Sequence, residues 1–222
     1  MAEPSPGWFS EAAASASTAV GPAAGPAVSP WCHGRGKRLL DVIGATLLTL
    51  LGLPVIALTA AAVALSSGRP VLYRQVRLGQ GMRPLTVLKF RTMRRDAEAE
   101  TGPVFASPGD PRITPVGRFL RRSRLDETPQ LLCVLRGEMS LVGPRPERPV
   151  FVRQFMDEIP GYAGRFATLP GLTGPAQVAE SYHATAREKL VHDLDYRARA
   201  CLAMDLEVLA RTILVVLRGG GR

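Results

Sequence analysis

Residues 118 to 148 read Arg-Phe-Leu-Arg-Arg-Ser-Arg-Leu-Asp-Glu-Thr-Pro-Gln-Leu-Leu-Cys-Val-Leu-Arg-Gly-Glu-Met-Ser-Leu-Val-Gly-Pro-Arg-Pro-Glu-Arg, with the adjacent acids Asp126 and Glu127 near the middle. Arginines surround the pair: Arg118, Arg121, Arg122 and Arg124 before it, and Arg136, Arg145 and Arg148 after it. One carboxylate can attack phosphorus to form an aspartyl-phosphate, while a second holds a divalent cation that neutralises phosphate oxygens. Neighbours on a helix point about 100° apart, so each acid can take one role. The stretch therefore predicts phosphate chemistry.

A plain helix start is the alternative explanation of the same residues. Thr128 followed by Pro129 suits an N-cap with proline at the first helical position, and acids just before a helix favourably meet its positive end. From the pair alone, capping is the commoner explanation, so the phosphate hypothesis depends on the rest of the chain.

Composition points to anionic partners. Lys and Arg number 28 against 19 Asp and Glu, a net charge of +9, which suits phospholipid surfaces, phosphorylated substrates or nucleic acid. Aromatic residues make up only 6% of the chain, few for stacking bases, so no nucleic acid is expected. The three cysteines are far apart and predict free thiols in a reducing compartment, and the three histidines show no metal-ligand spacing.

A membrane segment follows an N-terminal extension. Residues 1–36 are rich in Ala, Pro, Ser and Gly and are expected to be disordered. Residues 42–65 are uncharged and mostly apolar, and this stretch of about 24 residues is long enough to cross a bilayer. Pro54 lies at its midpoint and removes a backbone donor, which predicts two half-helices. A re-entrant hairpin and a kinked spanning helix fit these residues equally well.

A β-hairpin is expected over residues 70–93, where two apolar runs flank Gly79-Gln-Gly-Met. In an extended strand Lys89 and Arg91 share one face, either as site residues or on a solvated edge. Further on, Pro144 and Pro146 stiffen the chain around Arg145, which would orient its guanidinium for phosphate, although a rigid turn without ligand has the same pattern.

Helices are expected beyond this region. Arg118, Arg121 and Arg122 have helical spacing and could lie on one face, either as site residues or as a solvated or lipid-facing surface. An apolar stripe over 151–159 suits core packing or a membrane surface. Two final helices are expected at roughly 184–199 and 202–217, and the stripe of the second is interpreted as core: Leu202, Leu206, Leu209, Ile213 and Leu217.

Several segments in order resemble the bacterial sugar transferase family, the monotopic polyprenyl-phosphate phosphoglycosyl transferases that start exopolysaccharide or O-antigen assembly. The matching segments are Lys89-Phe-Arg-Thr-Met, Asp110-Pro-Arg-Ile-Thr, Gly117-Arg-Phe-Leu-Arg, Leu125-Asp-Glu-Thr-Pro-Gln-Leu, Met139-Ser-Leu-Val-Gly-Pro-Arg-Pro and Pro170-Gly-Leu-Thr-Gly-Pro-Ala-Gln-Val. The resemblance covers about residues 37 to 218 and implies that Asp126 is a nucleophile and that Glu127 holds Mg²⁺. It also favours a re-entrant anchor that breaks at Pro54.

Three departures from the family pattern mark a divergent member. Thr128 stands for a usual leucine, Cys133 for a usual asparagine, and Ala179-Glu-Ser replaces a usual Gly-Arg ending, which removes an arginine from the pattern. Larger relatives carry an extra multi-span region, and no such region is expected before Lys37.

The resemblance implies an α+β fold: a re-entrant helix-break-helix membrane anchor, a small β-hairpin and a mostly helical cytosolic catalytic domain with amphipathic helices. The expected divisions are an extension at 1–36, an anchor at 37–68, a catalytic domain at 69–218 and a tail at 219–222. The expected phosphate- or nucleotide-binding residues are Lys89, Arg91, Arg118, Arg121, Arg145 and Arg148.

The implied activity is transfer of a phosphosugar from a UDP-sugar to polyprenyl phosphate through Asp126, with Mg²⁺, at the cytosolic face of the bacterial inner membrane. Whether the protein forms a homodimer stays open. The alternative functions are a membrane-tethered basic protein that binds anionic lipid or nucleic acid without catalysis, and a UDP-sugar hydrolase.

Overall fold

The fold is described from a computed structural model, which covers residues 26–99, 101–107, 109–179 and 184–218. Most of the predicted N-terminal extension, and the tail at 219–222, lie outside these residues. Residues 26–36 were expected to be disordered, and that expectation is wrong for the part around Trp31. Pro30–His33 forms a short 3-10 helix, and the Trp31 indole N–H donates to Asp205 Oδ2 at 2.8 Å. A distant partner that local composition does not reveal orders this part.

Helix α1, Arg35–Ser67, contains the apolar segment and is the one helix of the described chain long and apolar enough to cross a membrane. It continues through Pro54, so the predicted interruption there is not a gap in the helix. Its middle exposes large apolar side chains: Leu47, Leu48, Leu50, Leu51, Leu53 and Val55. Buried residues lie toward both ends: Lys37, Asp41 and Ala45 at the first, and Thr59 and Val63 at the second.

The predicted hairpin is confirmed. Strands β1, Leu72–Leu78, and β2, Pro84–Phe90, pair antiparallel around a turn that includes Gly81, whose φ of 61° suits a glycine. Cross-strand pairs share a face of the ribbon, and Arg77 pairs with Leu85 while Tyr73 pairs with Lys89. Leu85 and Val87 are buried in the main core. The alternation places Arg77 and Lys89 on the face that meets the rest of the domain.

A second small sheet carries the chain into the site. Strands β3, Ser140–Val142, and β4, Gly171–Thr173, are parallel. Glycines allow the two chains to meet, because a Cβ on Gly143 would stand 2.5 Å from the Leu169 carbonyl oxygen and one on Gly171 would stand 2.2 Å from the Gly143 nitrogen. The Pro-Arg-Pro segment that follows β3 is thus held against the chain leading into β4.

Helices make up most of the remaining described chain, which confirms a mixed fold rich in helix. They are α2 Pro115–Arg122, α3 Leu131–Arg136, α4 Pro149–Glu158, α5 Pro175–Ala179, α6 Ala186–Arg199 and α7 Leu202–Leu217. Two further 3-10 helices, Leu125–Gln130 and Tyr162–Ala167, carry side chains of the site and of its support. Thr114 and Thr185 cap α2 and α6 through side-chain oxygens, as helix starts of this composition favour.

The expectation for the last helix needs correction. Val208 and Asp205 of α7 are buried, whereas most of the stripe expected to be core is open to solvent, including Leu206, which is 50% exposed, and Ile213, which is 61% exposed. The contacts of α7 with α5, β3 and β4 involve one side of the helix, where Val208 is buried and Met204 and Leu209 pack against the main core. Leu209 is therefore the one residue of the predicted stripe that packs as expected. Periodicity detects an apolar face without saying what covers it.

A buried polar cluster fastens the start of α1 to the domain. The Lys37 ammonium donates to the Asp205 carboxylate, to the Tyr196 hydroxyl and to the Val142 carbonyl, at 2.9, 2.9 and 3.0 Å. One turn further along, the Asp41 carboxylate accepts from the Leu141 amide at 2.8 Å. Each buried charge here has partners, as burial requires. The start of the apolar helix therefore binds the β3 backbone directly.

Candidate active site

Asp126 and Glu127 lie in the 3-10 helix Leu125–Gln130 and are 7% and 6% exposed. The chain reaches them through Arg124, whose left-handed backbone (φ 58°) turns it sharply after α2. The capping alternative placed an N-cap at Thr128, but the Thr128 hydroxyl instead donates to the Leu125 carbonyl and α3 begins at Leu131. The position of the acids at the start of a helical run therefore does not explain their burial.

Cationic side chains bind the Glu127 carboxylate. The Lys89 ammonium lies 2.6 Å from Oε1, and the Arg145 guanidinium lies 2.5 Å from Oε1 and 3.3 Å from Oε2. Burial alone would raise the pKa of Glu127, but the charges of Arg145 and Lys89 outweigh it and hold that pKa well below its usual range. Glu127 is thus an anion at neutral pH.

Asp126 behaves in the opposite way. Burial and the neighbouring Glu127 charge raise the pKa of Asp126 to about 6, although Lys89, Arg121 and Arg145 partly oppose the rise. Two adjacent carboxyl groups with separated pKa values can perform different tasks, one as a permanent anion and one as a basic, poorly solvated nucleophile. This separation is what the one-role-each hypothesis requires.

Lys89 is affected by the same burial. Burial lowers the pKa of Lys89 to about 8, with Glu127 opposing the shift and Arg145 adding to it. Its ammonium is therefore charged at neutral pH but loses its proton in mildly alkaline solution.

Arg77 is a cation of the site that sequence reasoning did not assign to it. Its guanidinium donates to the Pro146 carbonyl at 2.6 Å and to the Gln75 side chain, and burial together with the Arg145 charge lowers its pKa. The hairpin could have indicated this residue, because Arg77 and Lys89 lie on the same face of the ribbon once the strand register is known.

The other predicted binding residues lie at the edge of this cluster or away from it. Arg121 is close enough to lower the pKa of Asp126 and donates to the Thr92 hydroxyl at 2.9 Å. Arg118 is exposed on α2. Arg148 makes a two-point ion pair with Glu98, at 2.8 and 3.0 Å. Whether these arginines bind substrate stays a prediction.

Arg91 does not join Lys89. Its guanidinium donates to the Ser67 and Gly68 carbonyls, where it caps the end of α1. Strand β2 ends at Phe90, so the alternation that would have placed Arg91 beside Lys89 stops one residue too early. The predicted shared face is therefore not formed.

The donor set suits a Mg²⁺ ion held largely by substrate. The described residues contain no group of three or more metal-binding side chains. Mg²⁺ commonly binds proteins through one or two carboxylates, with phosphates and water completing its shell. Glu127 Oε2 accepts a 3.3 Å bond from Arg145 and lies 3.9 Å from Arg124 Nη1, and neither long contact exhausts its acceptor capacity. The low pKa of Glu127 keeps it ionised. Cys32, Cys133 and Cys201 are free thiols, as expected.

A long apolar helix beside a buried acid pair among cations is the combination expected of a membrane-associated protein that acts on phosphates. Residues 32–219 match the family described as bacterial sugar transferase. The chain therefore belongs to the bacterial sugar transferase family, as its motifs predicted.

Relatives with curated names include the UDP-N-acetylgalactosamine-undecaprenyl-phosphate N-acetylgalactosaminephosphotransferase of Aeromonas hydrophila, 42% identical over 83% of this chain and 44% of the relative. The UDP-glucose:undecaprenyl-phosphate glucose-1-phosphate transferase of Caulobacter vibrioides is 45% identical over 80% of this chain and 68% of the relative. The exopolysaccharide production protein PSS of Rhizobium leguminosarum bv. phaseoli is 35% identical over 83% of this chain and 96% of the relative. The chain thus spans less than half of the Aeromonas relative and nearly all of the Rhizobium one.

Replacing Asp126 by Asn should stabilise the fold at neutral pH. The raised pKa means that the ionised carboxylate costs the folded state about 3 kcal/mol relative to the unfolded chain. We expect Asp126→Asn to raise the melting temperature at pH 7.5, with the gain shrinking as pH falls from 6 to 4, where the folded wild type already carries a proton. Thermal melts of both proteins in detergent across this pH range measure it. A gain that is absent, or that does not depend on pH, would contradict the raised pKa.

Proposed function

We propose that this protein is a phosphoglycosyl transferase that moves a sugar phosphate from a UDP-sugar to polyprenyl (undecaprenyl) phosphate. The observation that carries this proposal is the buried pair in which Asp126 has a raised pKa while Lys89 and Arg145 hold Glu127 as an anion. Family membership supports the reaction class, and two of the relatives described above are named for transfer to undecaprenyl phosphate.

The reaction has two steps at phosphorus. An oxygen of Asp126 attacks the β-phosphorus of the UDP-sugar, the bond from that phosphorus to the bridging oxygen breaks, and UMP leaves with the bonding pair. A phosphate oxygen of the polyprenyl phosphate then attacks the same phosphorus and releases the Asp126 carboxylate. The products are UMP and a polyprenyl diphosphate sugar, and the side chain returns to its initial state.

The cations supply the electrostatic part of the catalysis. Phosphoryl transfer depends mostly on positioning and on neutralising charge at the phosphate oxygens. Arg145 is our strongest assignment, because it is fixed between two prolines and already bonded to Glu127 beside the nucleophile. Lys89, Arg77 and Arg121 lie around the same pair and would share the task. Arg145, Lys89 and, at longer range, Arg124 already compensate the charge of Glu127. One of these cations can therefore turn toward donor phosphates while the others keep Glu127 paired.

Mg²⁺ would be held by Glu127 Oε2 together with the donor phosphates, and it would neutralise the charge that builds on the leaving UMP. The protein offers one carboxylate already paired with Lys89 and Arg145 and, at 3.9 Å, with Arg124. We therefore expect Mg²⁺ to bind weakly to the free protein and much more tightly once a diphosphate is present.

We also propose that α1 enters and leaves the same leaflet of the inner membrane, with the domain on the cytosolic face. Ala45 near the start of α1 is buried in the main core, and Val63 near its end packs with Phe90 and Leu120 of the same domain. The exposed apolar middle between them contains Pro54. A straight helix across a bilayer would put about 30 Å of hydrocarbon between its ends, which makes shared packing on one domain difficult.

The activity test measures UMP release from a panel of UDP-sugars by detergent-solubilised protein with Mg²⁺, with and without undecaprenyl phosphate. We expect release that depends on the lipid and is specific to one or a few sugars, and at least a 10³-fold loss in Asp126→Asn because the nucleophile is gone. Asp157→Asn, an acid on the outer face of α4, serves as the matched control and should retain activity.

Each other outcome points elsewhere. Sustained release without lipid would indicate a UDP-sugar hydrolase that uses the same site. No release from any UDP-sugar, together with binding of anionic lipid that weakens with salt and needs no Mg²⁺, would favour the basic membrane protein without catalysis. Normal turnover by Asp126→Asn would remove Asp126 from the mechanism.

The pH dependence of kcat/KM follows from the two shifted groups. Asp126 must lose its proton to attack, so activity should fall below about pH 6, while Lys89 must keep its proton to neutralise phosphate, so activity should also fall above about pH 8. Lys89→Arg keeps its charge at all these pH values and should lack the alkaline fall even if its rate is lower. An unchanged alkaline limb in this variant would assign that limb to another group.

A further inference from the structure

Arg165 lies behind the active site, in the 3-10 helix Tyr162–Ala167, and is only 4% exposed. Its Nε and Nη2 bind the Asp193 carboxylate of α6 at 2.9 and 2.7 Å, and its Nη1 donates to the Tyr162 hydroxyl at 2.6 Å. The rings of Tyr162 and Phe166 lie 5.1 and 5.8 Å from the guanidinium carbon. Such contacts on both faces and edges fix the group in one orientation.

One bond from this fixed group reaches the active-site segment. Arg165 Nη2 donates to the carbonyl oxygen of Arg145 at 3.0 Å. The side chain of Arg145 meanwhile extends to Glu127 on the other side. Arg145 is therefore held at its main chain by Arg165 and at its guanidinium by Glu127.

We propose that Arg165 is a positioning residue for the transfer reaction, because its bond to the Arg145 carbonyl orients the Arg145 side chain toward Glu127 and the donor phosphates. This inference rests on the proposed function. The donors of Arg165 are directed to Asp193, Tyr162 and the Arg145 carbonyl, and none of them reaches the acid pair.

The backbone around Arg145 is rigid, so a displacement of its carbonyl also displaces its side chain. Pro144 and Pro146 fix their own φ angles, and a residue before proline is confined to extended conformations, so Arg145 cannot absorb a displacement by rotating its backbone. Arg77 holds the next carbonyl, that of Pro146, at 2.6 Å. A displaced carbonyl would thus move the Arg145 guanidinium with it, and a misplacement of about 1 Å at a catalytic group costs up to 100-fold in rate.

A small pocket beside the segment leaves it room to move. The space beside Arg165, Pro144, Pro146 and Thr168 has a volume of about 10 Å³, the room of a single water, and the buried Thr168 hydroxyl has no hydrogen-bond partner in the described chain. Loss of the Arg165 bond would leave the Pro144–Pro146 segment free to shift a short distance toward this pocket. Such a shift would leave the fold intact but would displace the Arg145 guanidinium from Glu127.

The test compares Arg165→Lys with Tyr162→Phe. A lysine ammonium retains the charge beside Asp193 but cannot also reach the Arg145 carbonyl in the planar geometry of a guanidinium. Tyr162→Phe removes another bond of the same buried cluster and leaves the Arg145 bond intact. We expect kcat/KM to fall about 10- to 100-fold in Arg165→Lys and by less than about 3-fold in Tyr162→Phe, at a temperature well below both melting points.

A double-mutant cycle separates positioning from general destabilisation. If Arg165 acts through Arg145, then Arg165→Lys should cost little further activity in an Arg145→Lys background, whereas independent effects would multiply. Multiplicative losses, or an equal loss in Tyr162→Phe, would overturn the proposal. Because the wild type is measured in the same assay, an inactive wild type would refute the proposed function, while an active wild type with an unaffected Arg165→Lys would refute this inference alone.

A second variant covers the case in which Arg165→Lys does not fold. Replacing both members of a buried ion pair by apolar residues is often neutral or stabilising, so Arg165→Met combined with Asp193→Leu should fold while lacking the Arg145 bond. We expect the same 10- to 100-fold loss in kcat/KM. Wild-type activity in this folded double variant would overturn the proposal.

Discussion

The ion pairs of Glu127 with Lys89 and Arg145 are the interactions on which the site depends. They join three segments far apart in the chain: the end of the hairpin, the 3-10 helix of the acids and the Pro-Arg-Pro turn after β3. A carboxylate as buried as Glu127 could not stay ionised without them, and loss of one partner from such a pair typically costs about 3–5 kcal/mol. The same charges keep Glu127 an anion, and its negative charge contributes to the raised pKa of Asp126. The same ion pairs therefore hold the three segments together and set the charge states of the two acids.

The apolar helix is fastened to this arrangement at both ends. At its start, Lys37 and Asp41 bind the backbone of β3, the strand that leads into the Pro-Arg-Pro turn. At its end, Arg91 binds the last carbonyls of α1, two residues beyond Lys89. These bonds therefore fix the position of α1 relative to the segments that carry Lys89 and Arg145. For a protein proposed to receive its acceptor from a bilayer, this keeps the nucleophile at a defined height relative to the lipid.

Sequence patterns predicted the parts of this molecule that depend on neighbours in the chain. The alternation in residues 70–93 predicted the hairpin, and the acid pair among arginines predicted where charge would concentrate. Lys89 and Arg145 were expected to bind phosphate, partly from motif resemblance, but their pairing with Glu127 was not predicted, because no local rule pairs residue 127 with residue 89 or 145. Capping by Thr128 was the simplest local explanation, and it fails because the Thr128 hydroxyl donates to the Leu125 carbonyl and the next helix begins only at Leu131.

The remaining features depend on distant contacts that periodicity does not encode. Arg91 lies outside the site because β2 ends at Phe90, one residue before it. Arg77 lies in the site because of the strand register, which only the folded hairpin defines. The sequence did not indicate a role for Arg165, because that role is a hydrogen bond to a backbone carbonyl, and a residue of any type carries such a carbonyl. Trp31 was assigned to a disordered extension, yet Asp205, far along the chain, gives it a partner.

The most direct test of the proposed chemistry is the intact mass of the protein after incubation with a UDP-sugar and Mg²⁺ in the absence of lipid. A covalent mechanism predicts a mass increase of one sugar phosphate, located at Asp126 by peptide mapping, which disappears when undecaprenyl phosphate is added and never forms in Asp126→Asn. An unmodified mass during lipid-dependent turnover, with the adduct also absent when the reaction is quenched within one turnover, would contradict it and indicate direct transfer between the two substrates.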